Sequence, residues 1–95
     1  MNEHYIKIAD ALNTLYELEN ELKIMHFSPN ELKVFYTVIN ISAFDESGSN
    51  ISEVVQSSGM SRSTVYKTLK KLSNLNIIST VQSESDGRES LIELL

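Results

Sequence analysis

The sequence predicts a mainly α-helical fold with one small β-hairpin, an α+β arrangement in a single compact domain of 95 residues. Three observations lead to this fold class. Apolar residues recur at three- and four-residue steps along most of the chain, which is the period of an amphipathic helix. The single proline and the three glycines stand where that periodicity fails. Two short runs rich in β-branched and apolar residues near the end flank an Asp-Gly pair, which is a hairpin signal.

The first predicted element is a helix over residues 3–26. At 1.5 Å per residue its apolar stripe is about 30 Å long, more than one neighbouring helix of similar length easily covers. We therefore expect residues 1–27 to form an N-terminal dimerisation helix, although a brace over Val34, Val38 and Ile41 of the same chain is the alternative. The residues predicted to form the dimer contact lie at helical spacing: Ile8, Leu12, Leu15, Leu18, Leu22 and Met25.

The second helix has a distinct start signal. Ser28 stands at the N-cap, Pro29 at the first helical position and Glu31 at the third, which are the residue types that favour a helix start. From there to about residue 44, apolar residues occupy two sides of the helix. This pattern predicts a helix that is buried from two sides.

A polar loop over residues 45–50 separates the second helix from a short third helix. Asn50 and Glu53 are spaced to cap the start of that helix by reciprocal hydrogen bonds. Gly59 then supplies a turn with positive φ, because a residue without Cβ adopts that conformation at no steric cost.

The fourth helix is predicted over about residues 61–74, with Ser61 as its N-cap. The period then changes from that of a helix to that of strands, and residues 77–95 are predicted to form a hairpin with Asp86-Gly87 at its turn. The residues that define the inward face of the fourth helix recur at i, i+4 and i+7: Val65, Leu69 and Leu72.

A short helix, a tight turn and a second helix form a helix-turn-helix, and a hairpin directly behind it is a wing. The stretch NISEVVQSSGMSRSTVYKTLKKLSNLNII resembles the core of MarR-like and TrmB-like winged-helix transcription regulators, and SPNELKVFYTVI resembles the helix before that core. The resemblance implies a winged-helix DNA-binding domain over residues 28–95. Three positions depart from the usual pattern: Val55 stands where a small alanine is common, Ser58 stands where leucine is common, and Asn76 replaces the glycine before the wing.

The predicted recognition helix carries basic and hydroxyl side chains but no acidic one. Small hydroxyl residues at its start allow close approach to a DNA groove, and the helix N-terminus favours phosphate. Arginine can contact guanine through two hydrogen bonds, and lysines further along can reach the backbone. A wing tip projects toward a minor groove or phosphates, although acidic neighbours oppose that approach here. We expect DNA contacts from Ser61, Arg62, Ser63, Thr64, Lys67, Lys70 and Lys71 of the helix and from Arg88 of the wing.

The formal net charge of −5 is unevenly distributed. Residues 1–58 hold nine acidic and three basic side chains, whereas residues 59–95 hold five basic and four acidic ones. Because binding to a polyanion depends on local charge, this segregation is compatible with a DNA-binding face on an acidic protein. We expect modest affinity for non-specific DNA and a greater dependence on the target site.

Several functional classes are not favoured by the composition. Cysteine is absent, which excludes a thiolate nucleophile, a disulfide framework and a cysteine-based zinc site. His4 and His26 are the only histidines and have no ligand constellation around them. No segment resembles a signal peptide or a membrane span. We therefore expect a cytoplasmic protein without a metal, a cofactor, a membrane partner or an enzymatic activity.

The predicted function is sequence-specific binding of double-stranded DNA by a homodimeric transcription regulator. A dimer would set two recognition helices about one DNA turn, roughly 34 Å, apart. Two alternatives remain open: a replication or plasmid-maintenance protein, since initiators carry similar winged helices, and a winged helix that binds only protein. MarR proteins continue into C-terminal dimerisation helices where this sequence ends, so the N-terminal helix is the expected interface. Any small effector is expected between the first two helices.

Overall fold

A computed structural model describes residues 2–44, 48–82 and 90–95 of the chain. In chain order its elements are α1 (Glu3–Leu22), α2 (Pro29–Ser42), β1 (Ser49–Asn50), α3 (Ile51–Ser58), α4 (Arg62–Asn74), β2 (Ile78–Gln82) and β3 (Ser90–Leu94). Four helices and a small antiparallel sheet are the α+β winged-helix architecture that the sequence predicts.

The first helix ends earlier than predicted. It stops at Leu22 because Lys23 adopts the left-handed conformation, with φ of 63°. The chain then turns inward, and both Ile24 and Phe27 are buried in the core. The prediction of one helix over residues 3–26 is therefore wrong in its last turn, where a core segment continues the apolar spacing of the helix.

The helix starts predicted from capping signals are confirmed for α2 and α3. At α2, the Glu31 amide donates to Ser28 Oγ at 3.2 Å, and the Ser28 amide donates to Glu31 Oε1 at 2.9 Å. At α3, the Glu53 amide donates to Asn50 Oδ1 at 2.8 Å, and the Asn50 amide donates to Glu53 Oε1 at 3.2 Å. Each capping box satisfies amides that a helix start leaves without a partner.

The turn between α3 and α4 follows the predicted chemistry. Gly59 takes φ of 71°, and the Thr64 amide donates to the N-cap oxygen of Ser61 at 3.2 Å. Ser58 is buried, but its hydroxyl accepts a hydrogen bond from the Met60 amide at 3.2 Å. A serine therefore replaces the more common leucine without leaving its hydroxyl unsatisfied.

The strands form one antiparallel sheet in the order β1-β3-β2. Asn76 takes φ of 60° directly before the wing. An asparagine therefore adopts here the left-handed conformation for which the usual pattern has glycine. The pairing of β2 with β3 runs from Ile78 opposite Leu94 to Gln82 opposite Ser90. Both strands lie within one residue of their predicted positions.

The two-residue strand β1 was not predicted, because its polar sequence carries no strand periodicity. Ser49 lies opposite Ile92 and Asn50 opposite Leu91, so β1 covers the edge of β3. Gly48 precedes it with φ of 86°, and a Cβ there would lie 2.6 Å from the Ile92 carbonyl oxygen. Glycine is therefore needed for the chain to approach β3 this closely.

The core lies between α2, α3, α4 and the sheet. The predicted inward face of α4 is confirmed, and α2 contributes residues from two adjacent sides. The described part of α1 contributes none, because no residue of that helix is buried. The buried apolar residues are Ile24, Phe27, Val34, Phe35, Val38, Ile51, Val54, Val65, Leu69, Leu72, Ile78 and Ile92.

Candidate nucleic-acid interface

One face of α4 is basic and open to solvent. The opposite side of the helix is buried through Val65, Thr68, Leu69 and Leu72. At 100° per residue, the centre of the exposed side falls on Ser63, Lys67 and Lys70, which we call the basic face. All three are exposed. The basic face therefore points away from the winged-helix core.

Three hydroxyl groups surround the start of α4. Ser61 Oγ lies 3.2 Å from Ser63 Oγ and 3.1 Å from Thr64 Oγ1. The first turn of α4 contains no acidic residue. Exposed amides and the positive end of the helix dipole attract anions at such a site, and the hydroxyls can donate to phosphate or base edges.

Arg62 lies at one flank of the basic face and reaches back to α3. Its Nη2 donates to Ser52 Oγ at 3.0 Å. Since a guanidinium has five N–H donors, this contact leaves several of them for another acceptor. The contact with Ser52 is not predictable from the sequence, because the position of Ser52 beside Arg62 depends on the angle between two helices.

Lys71 lies on a different side of α4 from the basic face. Its Nζ is 2.6 Å from Glu31 Oε2, and it lies 5.7 Å from the centre of the Phe27 ring. Helical periodicity alone predicts that Lys71 points outward, because it does not show which side chains of α2 lie close to this lysine. The DNA contact of Lys71 stays a prediction, and its contacts within the fold are those with Glu31 and Phe27.

Glu31 is a buried residue that joins α2 to α4. The hydrogen bond from Lys71, followed by that from the Ser28 amide, lowers the pKa of Glu31 from 4.5 to about 2, although burial opposes ionisation. The carboxylate therefore remains charged at neutral pH. One of its oxygens caps α2, while the other holds the C-terminal half of α4.

The stability of the fold should depend on the ionisation of Glu31. Because its pKa is lower in the folded chain than the ordinary 4.5, Glu31 stabilises the fold fully above that value. This contribution is lost as the pH falls toward 2. We expect Glu31→Gln, which keeps an acceptor for the cap, to lose less stability than the wild type on acidification. Urea unfolding at a series of pH values measures this difference.

The matched control is Glu53→Gln. Glu53 occupies the equivalent capping position of α3, but its side chain is exposed. We expect its stability to follow the wild-type pH dependence. Equal pH dependence of the wild type and Glu31→Gln would contradict the role given to Glu31.

A cavity of about 290 Å³ lies between α4 and the wing, beside the basic face. Tyr66, Leu69 and Lys70 line it from α4, while Thr80 lines it from β2. Tyr66 is 53% exposed, so about half of its surface is open to solvent. This cavity does not lie between the first two helices, where an effector was expected from the sequence.

The wing contact predicted for Arg88 cannot be located. The tip of the hairpin, residues 83–89, lies outside the described residues, and it includes both Arg88 and the predicted turn at Asp86-Gly87. The two wing strands on either side are described, and β2 lies beside α4. The DNA contact of Arg88 therefore stays a prediction.

The residues predicted for dimerisation form an exposed row along α1. Leu15 is half-buried, while Ile8, Leu12, Leu18 and Leu22 are between 39% and 56% exposed. We call these five residues the α1 stripe. Met25, which was predicted to extend it, lies beyond the end of the helix and is also exposed. A contiguous row of large exposed apolar side chains is typical of a contact surface.

Other classes of site find no support in the described ranges. Residues 2–44, 48–82 and 90–95 contain no group of three or more histidine and acidic side chains that could hold a metal ion. None of the helices α1–α4 is long and apolar enough to cross a membrane.

Comparison with known proteins identifies the family. The family described as "Sugar-specific transcriptional regulator TrmB" matches residues 22–90, more than half of the chain. No curated protein matches the chain. Solved structures with a similar fold include the PcaV transcriptional regulator from Streptomyces coelicolor in complex with its natural ligand. Sequence identity is 23% and the TM-score is 0.61, with 98% of this chain and 63% of PcaV covered.

Two further structures show the same fold. The heme sensor protein PefR from Streptococcus agalactiae, in complex with heme, is 17% identical, with a TM-score of 0.63 and coverage of 100% of this chain and 65% of PefR. Reduced AbfR bound to DNA is 17% identical, with a TM-score of 0.61 and coverage of 100% and 72%.

The chain spans less than two thirds of the length of PcaV and of PefR. PcaV is a transcriptional regulator, as are the proteins of the matched family. The chain belongs to the TrmB family of transcriptional regulators.

Proposed function

We propose that this chain binds double-stranded DNA in a sequence-specific manner, as a homodimeric transcription regulator of the cytoplasm. The observation that carries the proposal is the basic face, which is exposed on the second helix of a helix-turn-helix in a chain of net charge −5. Membership of a transcription-regulator family supports it. AbfR, a neighbour with this fold, has been solved bound to DNA.

In the proposed complex, α4 enters the major groove with its N-terminus toward the bases. The side chains of Ser61, Ser63 and Thr64 are short, so the helix backbone can approach the groove closely. Arg62 is placed to contact guanine, and Lys67 and Lys70 reach phosphates on either side. Base contacts then give sequence preference, while phosphate contacts give affinity.

A second copy of the chain is the proposed occupant of the α1 stripe. Covering exposed apolar surface is favourable by about 25 cal/mol per Å², and α1 buries none of its residues in its own chain. The molecule is 53 Å long but only 24 by 23 Å across, so much of α1 is open to a partner. A two-fold axis between paired stripes would place two recognition helices for a palindromic site.

Two substitutions on α4 test the DNA-binding proposal. Lys67→Ala removes a phosphate contact, so we expect similar weakening on all duplexes. Arg62→Ala should also relax base preference, by about 1 to 3 kcal/mol if the guanine contact is bidentate. Fluorescence anisotropy with a site selected from random DNA, and with base-substituted versions of that site, measures both effects.

The matched control is Lys33→Ala, which removes an equal charge from an exposed position of α2. We expect it to bind the selected site with nearly wild-type affinity. Wild-type binding by both Lys67→Ala and Arg62→Ala would remove α4 as the DNA-binding helix.

A further inference from the structure

One acidic residue lies on the side of α1 that carries the α1 stripe. At 100° per residue, Glu19 projects on the same side as Leu15, Ile8 and Leu12. The other acidic residues of the helix project on the opposite side, and all of them are exposed: Glu3, Asp10, Glu17 and Glu21. Glu19 is half-buried. A carboxylate among apolar side chains is unfavourable unless a donor satisfies it, so its partner is informative.

The partner of Glu19 is Tyr36 of α2. The Tyr36 hydroxyl donates to Glu19 Oε2, across 17 residues of sequence. Burial, followed by the neighbouring carboxylate, raises the pKa of Tyr36 above its ordinary value of 10. The hydroxyl therefore keeps its proton at neutral pH and remains a donor. A charge-assisted hydrogen bond of this kind is stronger than one between neutral groups.

This hydrogen bond is important because α1 has few other attachments. No residue of α1 is buried, and its backbone makes no close approach to any other described helix or strand. The chain joins α1 to the core through the left-handed turn at Lys23 and the buried Ile24. A single turn fixes one point of a helix but not its direction, and the Glu19–Tyr36 contact supplies a second point.

We propose that the hydrogen bond between Glu19 and Tyr36 sets the angle of α1 to the winged-helix body, and thereby the distance between the two recognition helices of the dimer. The proposal rests on the homodimer proposed above. A swing of about 10° displaces the far end of a helix of about 30 Å by roughly 5 Å. This exceeds the rise of about 3.4 Å per base pair, so the angle selects the spacing of half-sites.

The first test measures the spacing preference. Inverted repeats of the selected half-site, separated by different numbers of base pairs, are titrated with the full chain. We expect the wild type to prefer one spacing. Tyr36→Phe and Glu19→Leu should reduce that preference roughly two- to tenfold, without changing affinity for a single half-site. Glu19→Gln keeps an acceptor and should retain part of the spacing preference. It should therefore fall between the wild type and Glu19→Leu, a ranking that a purely structural role of Glu19 would not produce.

Matched controls show whether an effect comes from loss of the Glu19–Tyr36 hydrogen bond or from the substitution as such. Tyr5→Phe removes a hydroxyl from an exposed tyrosine of α1, and Glu17→Leu makes the Glu19→Leu change on the opposite, exposed side of the helix. Both should keep the wild-type spacing preference. Thermal unfolding of each variant shows whether the fold is intact.

The second test needs no DNA. Because the sequence has no cysteine, Ser73→Cys on the exposed surface of α4 places one spin label on each protomer. Pulsed electron paramagnetic resonance then measures the distance between the two labels, and thus between the two recognition helices. A narrow distribution in the wild-type background that broadens with Tyr36→Phe supports the proposal.

The outcomes are distinguishable. Wild-type spacing and distance distributions in Tyr36→Phe and Glu19→Leu, with a dimeric wild type, would overturn the role of Glu19 and Tyr36 alone. A monomeric wild type, or one that binds without regard to spacing, would overturn the homodimer proposal and this inference together.

Discussion

Leu12→Glu is expected to make the protein monomeric and to weaken its binding to a duplex with two half-sites by roughly 10²- to 10⁴-fold. Leu12 lies within the α1 stripe and is 41% exposed in the single chain. A carboxylate there would become buried without a partner on dimerisation, which costs several kcal/mol. The second half-site would then no longer be bound within the same complex.

Sedimentation and a DNA titration together measure this effect. The matched control, Asn13→Glu, adds the same charge at the next position of α1, where the side chain is exposed on the side away from the stripe. It should remain dimeric and bind as the wild type does. A dimer formed by Leu12→Glu would show that the interface lies elsewhere.

Leu72→Ala is expected to lower the free energy of unfolding by about 2 to 5 kcal/mol. Leu72 is 0% exposed on the inward face of α4, so truncation removes buried apolar surface and leaves a cavity. Urea unfolding measures the loss. The control is Leu95→Ala, the same change at a residue that is 74% exposed, which should alter stability by less than about 0.5 kcal/mol. Equal effects of the two changes would contradict the assigned core.

Local signals predicted the helix starts and the turn well, because the groups that interact are close in sequence. The caps at Ser28, Asn50 and Ser61 and the positive φ of Gly59 are all confirmed. Each depends on a hydrogen bond across three residues or on the steric freedom of one residue. The inward face of α4 was predictable for a similar reason, since one helical period fixes it.

Features that depend on distant parts of the chain were not predictable. The end of α1 was placed too late because Ile24 continues the helical spacing while packing into the core. The strand β1 depends on the position of β3, and the ion pair of Lys71 depends on where α2 begins. Nothing in the local sequence shows which distant residues come close together in the fold.

The candidate DNA site was predicted in part. The sequence identified α4 and its exposed residues Ser63, Lys67 and Lys70, which the structure brings together on one face. The contact between Arg62 and Ser52 and the contact between Lys71 and Glu31 required the packing of α4 on its neighbours. The Glu19–Tyr36 contact was missed for the same reason, although an acid within an apolar stripe is a signal that could have led to it.

The most direct test of the account is the salt dependence of DNA affinity for the wild type. If α4 contacts phosphates, the logarithm of the association constant should fall linearly with the logarithm of salt concentration, by about 0.9 for each phosphate neutralised. Lys67→Ala should reduce that slope by about 1. Affinity for the selected duplex that does not change with salt would contradict the assignment of α4 as a DNA-binding helix.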